Sequence, residues 1–187
     1  MSIYALIVSI CWAVFIGYWL LSALNAKRTI NGPWRWIFTR LAIIIIMIVI
    51  LENGFAQRFT QYHLSTVTHP ALPFIGTFLC IIGIAGAIWA RVYLGRNWGM
   101  PQSIKENPEL VTAGPYTYVR HPIYTGVLLA MLGSALTSDP VWLILTVVFG
   151  IYFIYSAFQE EKLMLKTFPD SYPGYKKRTK MLIPFIF

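Results

Sequence analysis

The sequence predicts an all-α integral membrane protein of about five transmembrane helices, and three observations carry that prediction. Of 187 residues, 57% are apolar and only 12% charged, with a mean hydropathy of +0.62. A soluble domain is nearer about a quarter charged, so this chain lacks the polar surface to face water all round. The apolar residues fall in runs close to the length that crosses a bilayer, about 20 residues per helix. The basic residues, which bring the formal charge to +8, gather on one side of that arrangement. The same composition excludes disorder, collagen and coiled coils.

Ile3–Leu24 is the first span. It has neither a charged n-region nor an A-x-A site, so it reads as a retained anchor and not a signal peptide. Trp34–Leu51 is the second, with the aliphatic block Leu41–Leu51 behind Trp34 and Trp36, which suit the interface. Pro73–Leu94 is the third. Along it Gly76, Cys80, Gly83 and Ala87 recur at helical spacing, the pattern that lets helices approach closely. After Pro122 come Ile123–Leu136 and Val141–Phe158, broken by Thr137-Ser138-Asp139-Pro140, and a break that tight makes the pair a helical hairpin. The first of the two, at 14 residues, is short for a span unless tilted or buried against its neighbours. From Gln159 the chain turns into a C-terminal amphipathic helix, which stops at Pro169 before a basic tail. With no repeat or low-complexity linker, residues 1–187 read as a single membrane domain, a three-helix part over 1–94 and a second part over 95–187.

Fourteen of the fifteen Lys and Arg residues lie in Lys27–Arg40, in Arg91–Arg120 or after Phe158, and the other loops hold only Arg58. Five spans with the N-terminus outside place all fourteen on the cytoplasmic face. The run Lys176-Lys177-Arg178-Thr179-Lys180 is then a juxtamembrane patch for anionic lipid. Nucleic acid is the poorer partner, because no aromatic-laced binding module accompanies the charge. Cys11 and Cys80 each sit inside an apolar run, which speaks for helix packing and against a disulfide framework.

The informative stretch is Arg91–Tyr124, a cytoplasmic connection of roughly 27 residues, and long loops in compact proteins are functional or disordered. Trp98, Leu110, Val111, Tyr116 and Tyr118 speak for order, and Gly114-Pro115 marks a turn. A lone His at a helix start is usually a cap, and Pro122 in the first turn merely exploits a missing N–H. The company changes the reading: Tyr116, Tyr118, Arg120, His121 and Tyr124 fall within nine residues, beside a helix N-terminus suited to an anion. The second feature is Glu160-Glu161, in a chain with only seven acids. Glu160 lies near the membrane boundary, where an acid is costly without a partner, and a cationic ligand would be a fitting one. No metal site is expected, since His63, His69 and His121 are far apart in the chain and neither cysteine is near them. No phosphate-binding loop, dinucleotide fingerprint or nucleophile elbow occurs.

Taken together, Leu110-Val111-x-x-Gly114-x-Tyr116-x-x-x-Arg120-His121-Pro122-x-Tyr124-x-Gly126 resembles the signature of the isoprenylcysteine carboxyl methyltransferase family and its phospholipid methyltransferase relatives. Glu160-Glu161 followed by Phe168, Tyr172, Tyr175 and Pro184 is similar to that family's C-terminal signature, so the resemblance covers about residues 91–187. It implies an integral-membrane methyltransferase that uses S-adenosylmethionine, leaves S-adenosylhomocysteine, and binds the cofactor with the long cytoplasmic loop and no Rossmann domain. Carried over by motif, Gln102, Pro108, Glu109, Leu110 and Val111 form one side of the cofactor pocket. Tyr116, His121, Pro122, Ile123, Tyr124, Glu160 and Glu161 form the other. Arg120, His121, Tyr124 and Glu160 are the candidate catalytic residues.

The chemistry of the residues agrees. A carboxylate such as Glu160 can pair with a sulfonium or ammonium group, His121 or a helix N-terminus suits a carboxylate, and adenine can stack on Tyr116 or lie against Leu110 and Val111. Methyl transfer is an in-line displacement, so the catalyst mainly positions the acceptor and excludes water. One departure bears on that acceptor. Prenylcysteine enzymes of the family carry an arginine four residues before the first acid, where this chain has Ser156. The expected acceptor therefore widens from protein S-isoprenylcysteine to a phospholipid or small lipophilic molecule entering from the membrane, with Arg91, Arg96 or Arg120 as substitute cations. Two other readings stay open. A membrane sterol-type reductase shares the histidine–tyrosine helix start and late acids, although the loop offers no clear basic cluster for the 2′-phosphate of NADPH. A non-enzymatic scaffold binding anionic lipid explains the charge asymmetry, but not the aromatic and His cluster opposite an acid pair.

Overall fold

Among the described residues, five helices carry the architecture. The computed structural model describes residues 2–27, 29–31, 69–99, 103–137 and 141–187. The expected second span, Trp34–Leu51, lies outside the described residues, as do Arg58, His63 and Gln102. Helix α1 (Ile3–Ala23) starts at Ser2, whose hydroxyl accepts from the Ala5 amide at 3.2 Å. Helix α2 (Ala71–Leu94) ends at Gly95, whose φ of +52° lies in the left-handed region that glycine adopts without steric cost. Helices α3 (Pro122–Thr137) and α4 (Val141–Thr167) form the hairpin, and the short α5 spans Tyr172–Arg178. Among the described residues three helices are long and apolar enough to cross a membrane, and Pro122–Thr137 is a shorter apolar one. Ile10, Val14, Leu20 and Leu21 of α1, Phe74 and Phe78 of α2, and Val147 and Ile151 of α4 are all exposed. Large apolar side chains facing outward along whole helices suit lipid and not water.

The small residues of α2 do what their spacing predicts. A β-carbon on Gly83 would stand 2.5 Å from the Gly126 carbonyl and 2.5 Å from the Ala130 amide nitrogen, and one on Gly126 would stand 2.6 Å from the Gly83 carbonyl. Gly76 and Gly133 oppose each other in the same way. Backbone therefore packs on backbone along α2 and α3, and α3 is buried at Gly126, Ala130, Met131, Gly133 and Ser134. That burial is how so short an apolar helix is accommodated. Helix α1 joins this pair through Val8, which packs with Cys80, Ile84 and Ala130. The Trp12 indole donates to the Ser134 hydroxyl at 2.9 Å and stacks on Trp142 at 5.4 Å between centroids.

Helix α4 runs further than its apolar stretch. It continues as one helix through Glu160 and Glu161 to Thr167, because Gln159–Lys166 are good helix formers and Pro169 is the first residue to forbid continuation. The amphipathic segment is thus an extension of the last span. The architecture is helical as expected, with one small addition. Thr29–Asn31 (β1) pairs antiparallel with Ile104–Lys105 (β2), tying the chain that leaves α1 to the long loop. Backbone groups outside helices need partners, and here two loops satisfy each other.

Candidate active site

The loop between α2 and α3 is held from three sides. From the α1 end, the Lys27 ammonium donates to Asn97 Oδ1 at 2.8 Å, to the Asn107 carbonyl at 2.8 Å and to Glu109 Oε1 at 2.9 Å. That bond holds the exposed Glu109 carboxyl below its usual range. From the far side, the Tyr175 hydroxyl of α5 donates to the Tyr116 carbonyl at 2.8 Å. From the C-terminal tail, the carbonyls of Lys180 and Met181 accept from the amides of Arg120 and His121 at 2.8 and 3.1 Å. The Thr125 hydroxyl donates to the Leu182 carbonyl at 2.6 Å. The tail thus fixes the backbone at the start of α3, where Pro122 has no N–H and the His121 N–H is already engaged.

At this junction Arg120, His121, Glu160, Glu161 and Lys176 meet, with the Tyr124 hydroxyl beside them. Glu161 is 2% exposed, and its carboxylate lies 2.6 Å from Arg120 Nε and 2.7 Å from Lys176 Nζ. Arg120 also donates to the carbonyls of Thr179 and Lys176. Beside them His121 sits with Nδ1 3.4 Å from Glu160 and Nε2 3.7 Å from Glu161. Nε2 is buried without a hydrogen-bond partner. Burial alone would lower the His121 pKa, but the two carboxylates outweigh it and raise it above the usual imidazole value. The Tyr124 hydroxyl donates to Glu160 Oε1. Its ring stacks between His121, at 5.4 Å, and Phe153, at 4.4 Å, with interplanar angles of 6° and 4°.

Above this floor opens a cavity of about 600 Å³, within the range of small-molecule sites. Of the residues picked from sequence, Pro108, Glu109, Leu110 and Val111 line it from the loop, and Tyr116, Ile123 and Tyr124 from around the α3 start. Arg120, His121 and Glu160 form its floor. Pro122 and Glu161 are buried beside it and do not line it, and Gln102 is outside the described residues. Sequence reasoning missed the far wall: Phe15 and Trp19 of α1, with Trp98, Val127 and Phe153. It also missed α5's Tyr172 and Tyr175 as lining residues. A signal for α1 was present, since Trp12, Phe15 and Trp19 form an aromatic stripe at helical spacing. Those rings contact one another and continue to Trp98.

Long apolar helices around an aromatic cavity with an ion-paired floor define an integral membrane protein, and the cavity is its candidate ligand site. Comparison with known proteins names the group. The model of the phospholipid methyltransferase family matches residues 72–171, and the chain belongs to that family. It is 24% identical over 155 residues to the nickel-cobalt-cadmium resistance protein NccN of Alcaligenes xylosoxydans xylosoxydans, a match covering 82% of this chain and 63% of that protein. It is 34% identical over 101 residues to the protein-S-isoprenylcysteine O-methyltransferase of Schizosaccharomyces pombe, covering 52% of this chain and 43% of that one. Its fold is similar to the solved eukaryotic intramembrane Ras methyltransferase ICMT, with a TM-score of 0.55, 23% identity, and coverage of 84% of this chain and 55% of the other. The matches therefore span less than two thirds of the length of each of these relatives. The resemblance read from the Arg120-His121-Pro122 and Glu160-Glu161 motifs is borne out.

Proposed function

We propose that this chain is an integral-membrane methyltransferase that takes S-adenosylmethionine as methyl donor and methylates a lipophilic acceptor. The observation that carries this reading is the cavity floor, where Glu160, His121 and Tyr124 meet at the end of an aromatic-walled cavity. The residues fit the cofactor. Glu160 presents a partly exposed carboxylate, 24% accessible, to a cationic ligand group. His121 lines the same floor, and the carboxylates that raise its pKa favour the imidazolium form, which suits an anionic ligand group. Leu110, Val111 and the buried ring of Tyr116 offer apolar surface for a nucleobase. When bound, the cofactor supplies an electrophilic methyl group on a positively charged sulfur.

The chain's own contribution is positional. Tyr124, stacked between His121 and Phe153, fixes the Glu160 carboxylate by its hydroxyl bond. Glu161 pairs with Arg120 at the floor and with Lys176, and this neutralising support lies beside His121. Glu161 and Lys176 themselves do not line the cavity. The largely apolar, aromatic wall lowers the polarity around a bound ligand, so that charge interactions there are stronger than in solvent. The one-sided basic residues support an N-terminus outside, with the site and C-terminus cytoplasmic, and a tail resting on anionic lipid.

Calorimetry of the purified chain in detergent tests the reading, with S-adenosylmethionine, S-adenosylhomocysteine and NADPH as ligands. The expected result is binding of the first two and its loss in Glu160→Ala, with the variant's elution and melting unchanged. Binding of NADPH alone would move the chain to reductase chemistry, and binding of none by folded protein would leave the scaffold reading.

A further inference from the structure

Residues 183–187 carry apolar side chains that neither the helix packing nor the cavity uses. Phe185 is 85% exposed and Ile186 74%, and Ile183 and Phe187 are exposed beside them. The segment is nonetheless closed by its own backbone. The Leu182 and Ile183 amides donate to the Phe187 carbonyl at 2.7 and 2.6 Å, and the Phe187 amide donates to the Ile183 carbonyl at 3.1 Å. These bonds make a hook and place Phe185 at φ +67°, a conformation that bulky residues rarely adopt. A constrained backbone that turns large apolar side chains outward marks a surface made to be covered.

Depth and charge say what covers it. Met181 and Leu182, at the root of the hook, pack on Ala157, with Ile154 and Tyr124 against them. Ala157 lies at the end of the apolar stretch over residues 141–158. The hook is therefore level with the membrane boundary, where aromatic side chains concentrate. Residues 171–187 hold four cations, Lys176, Lys177, Arg178 and Lys180, and no acid. Of these, Lys177, Arg178 and Lys180 are exposed. Apolar side chains at the boundary with cations beside them suit an anionic leaflet, which takes up the one and attracts the other.

The same segment builds the site. The Lys180 and Met181 carbonyls hold the Arg120 and His121 amides, and the Lys180 amide donates to the Tyr118 carbonyl at 3.4 Å. The Leu182 carbonyl accepts from Thr125, and Lys176 pairs with Glu161. Whatever steadies the hook also steadies the backbone at His121.

We propose that residues 183–187 insert into an anionic leaflet, and that this docking couples the charge of the leaflet to ligand binding at the His121 floor. The coupling rests on the methyltransferase reading for the ligand that probes it. Without anionic lipid the tail is held less firmly, and a ligand must then supply the free energy that orders the floor.

The test compares the full chain in nanodiscs of phosphatidylcholine with the full chain in discs of phosphatidylcholine mixed with phosphatidylglycerol. Hydrogen exchange over residues 118–125 and 180–187 should be severalfold slower in the anionic discs. Calorimetry in the same discs should show S-adenosylhomocysteine bound about fivefold or more tighter, the lower end of typical coupling between sites. Phe185→Ser with Ile186→Ser should abolish both responses, and Lys177→Gln with Arg178→Gln should weaken both. In neutral discs both double variants should melt as the wild type and bind S-adenosylhomocysteine within about twofold of it. Equal exchange in the two discs overturns the proposal and leaves the hook to a protein partner. Responses that survive Phe185→Ser with Ile186→Ser also overturn it, because the cations alone then suffice. Slower exchange with unaltered S-adenosylhomocysteine affinity sinks the coupling. Failure of S-adenosylhomocysteine to bind in either disc sinks the methyltransferase reading, and the exchange result still decides whether the hook docks.

Discussion

The α2–α3 seam and the cavity floor hold segments together by opposite means. Along the seam, Gly76 and Gly83 face Gly133 and Gly126, and the contact is backbone against backbone with no charge involved. At the floor, Arg120, Glu161, Lys176, His121 and Glu160 come from the loop, from α4 and from α5, and charge pairs join them. The seam leaves no space, as a purely structural contact should. The floor instead keeps part of the Glu160 carboxylate accessible to the cavity, an unburied charge that the proposed ligand would meet. Complete packing marks the seam, and an accessible charge marks the candidate site.

The sharpest way to break this contrast is at Glu161. Glu161→Ala leaves Arg120 and Lys176 without their shared counter-charge, and removing one partner of a buried pair costs about 3–5 kcal/mol. Thermal melting in detergent checks it. Replacing Arg120, Glu161 and Lys176 together with apolar residues of similar volume should recover much of that stability while ligand binding stays impaired. If the single variant melts like the wild type, the ion pair does not support the floor.

The seam is next. Gly83→Leu forces atoms into the Gly126 carbonyl and the Ala130 amide, and overpacking typically costs about 1–3 kcal/mol, more where backbone must move. Gly86→Ala on the same helix meets nothing within 4 Å and should melt as the wild type. Equal behaviour of the two would remove the seam from the argument.

A smaller effect sharpens the electrostatic side. The folded protein holds a proton on His121 more tightly than the unfolded chain does. The stability this contributes is therefore fully present below the unfolded value of about 6.5, and it is lost as pH rises through the higher folded value. The melting difference between wild type and His121→Asn should shrink as pH rises above 6.5. A difference that grows with pH would mean that His121 is held neutral. The smallest effect is expected at Lys27. Lys27→Ala should leave melting nearly unchanged, since exposed pairs contribute little, but hydrogen exchange over residues 103–111 should accelerate severalfold. Unaltered exchange would show that the loop is held without it.

How far each region is legible in the sequence follows from the same contrast. The seam could be read directly, because Gly76, Cys80, Gly83 and Ala87 lie on one stretch of helix and their spacing is the signal. The Arg120-His121-Pro122 and Glu160-Glu161 motifs could be read as parts of one site only through resemblance. Nothing local says that residues 41 positions apart, Arg120 and Glu161, form an ion pair. The adjacent acids look equivalent in sequence, yet the rotation of roughly 100° between neighbours on a helix sends Glu160 to the cavity and Glu161 beside it.

Composition and spacing alone were enough to place the chain in a membrane, to mark Ile3–Leu24, Pro73–Leu94 and the stretches after Pro122 as helical, and to show which family motifs it bears. These are properties of composition and of spacing along one helix or loop. Helix packing across the fold is what brings Phe15 and Trp19 of α1 to the cavity wall, sets the C-terminal tail against the backbone at His121, and engages Arg91 and Arg120 with partners. The physical reason is distance along the chain. A side chain's partners across a fold depend on how whole helices pack, and no local pattern encodes that.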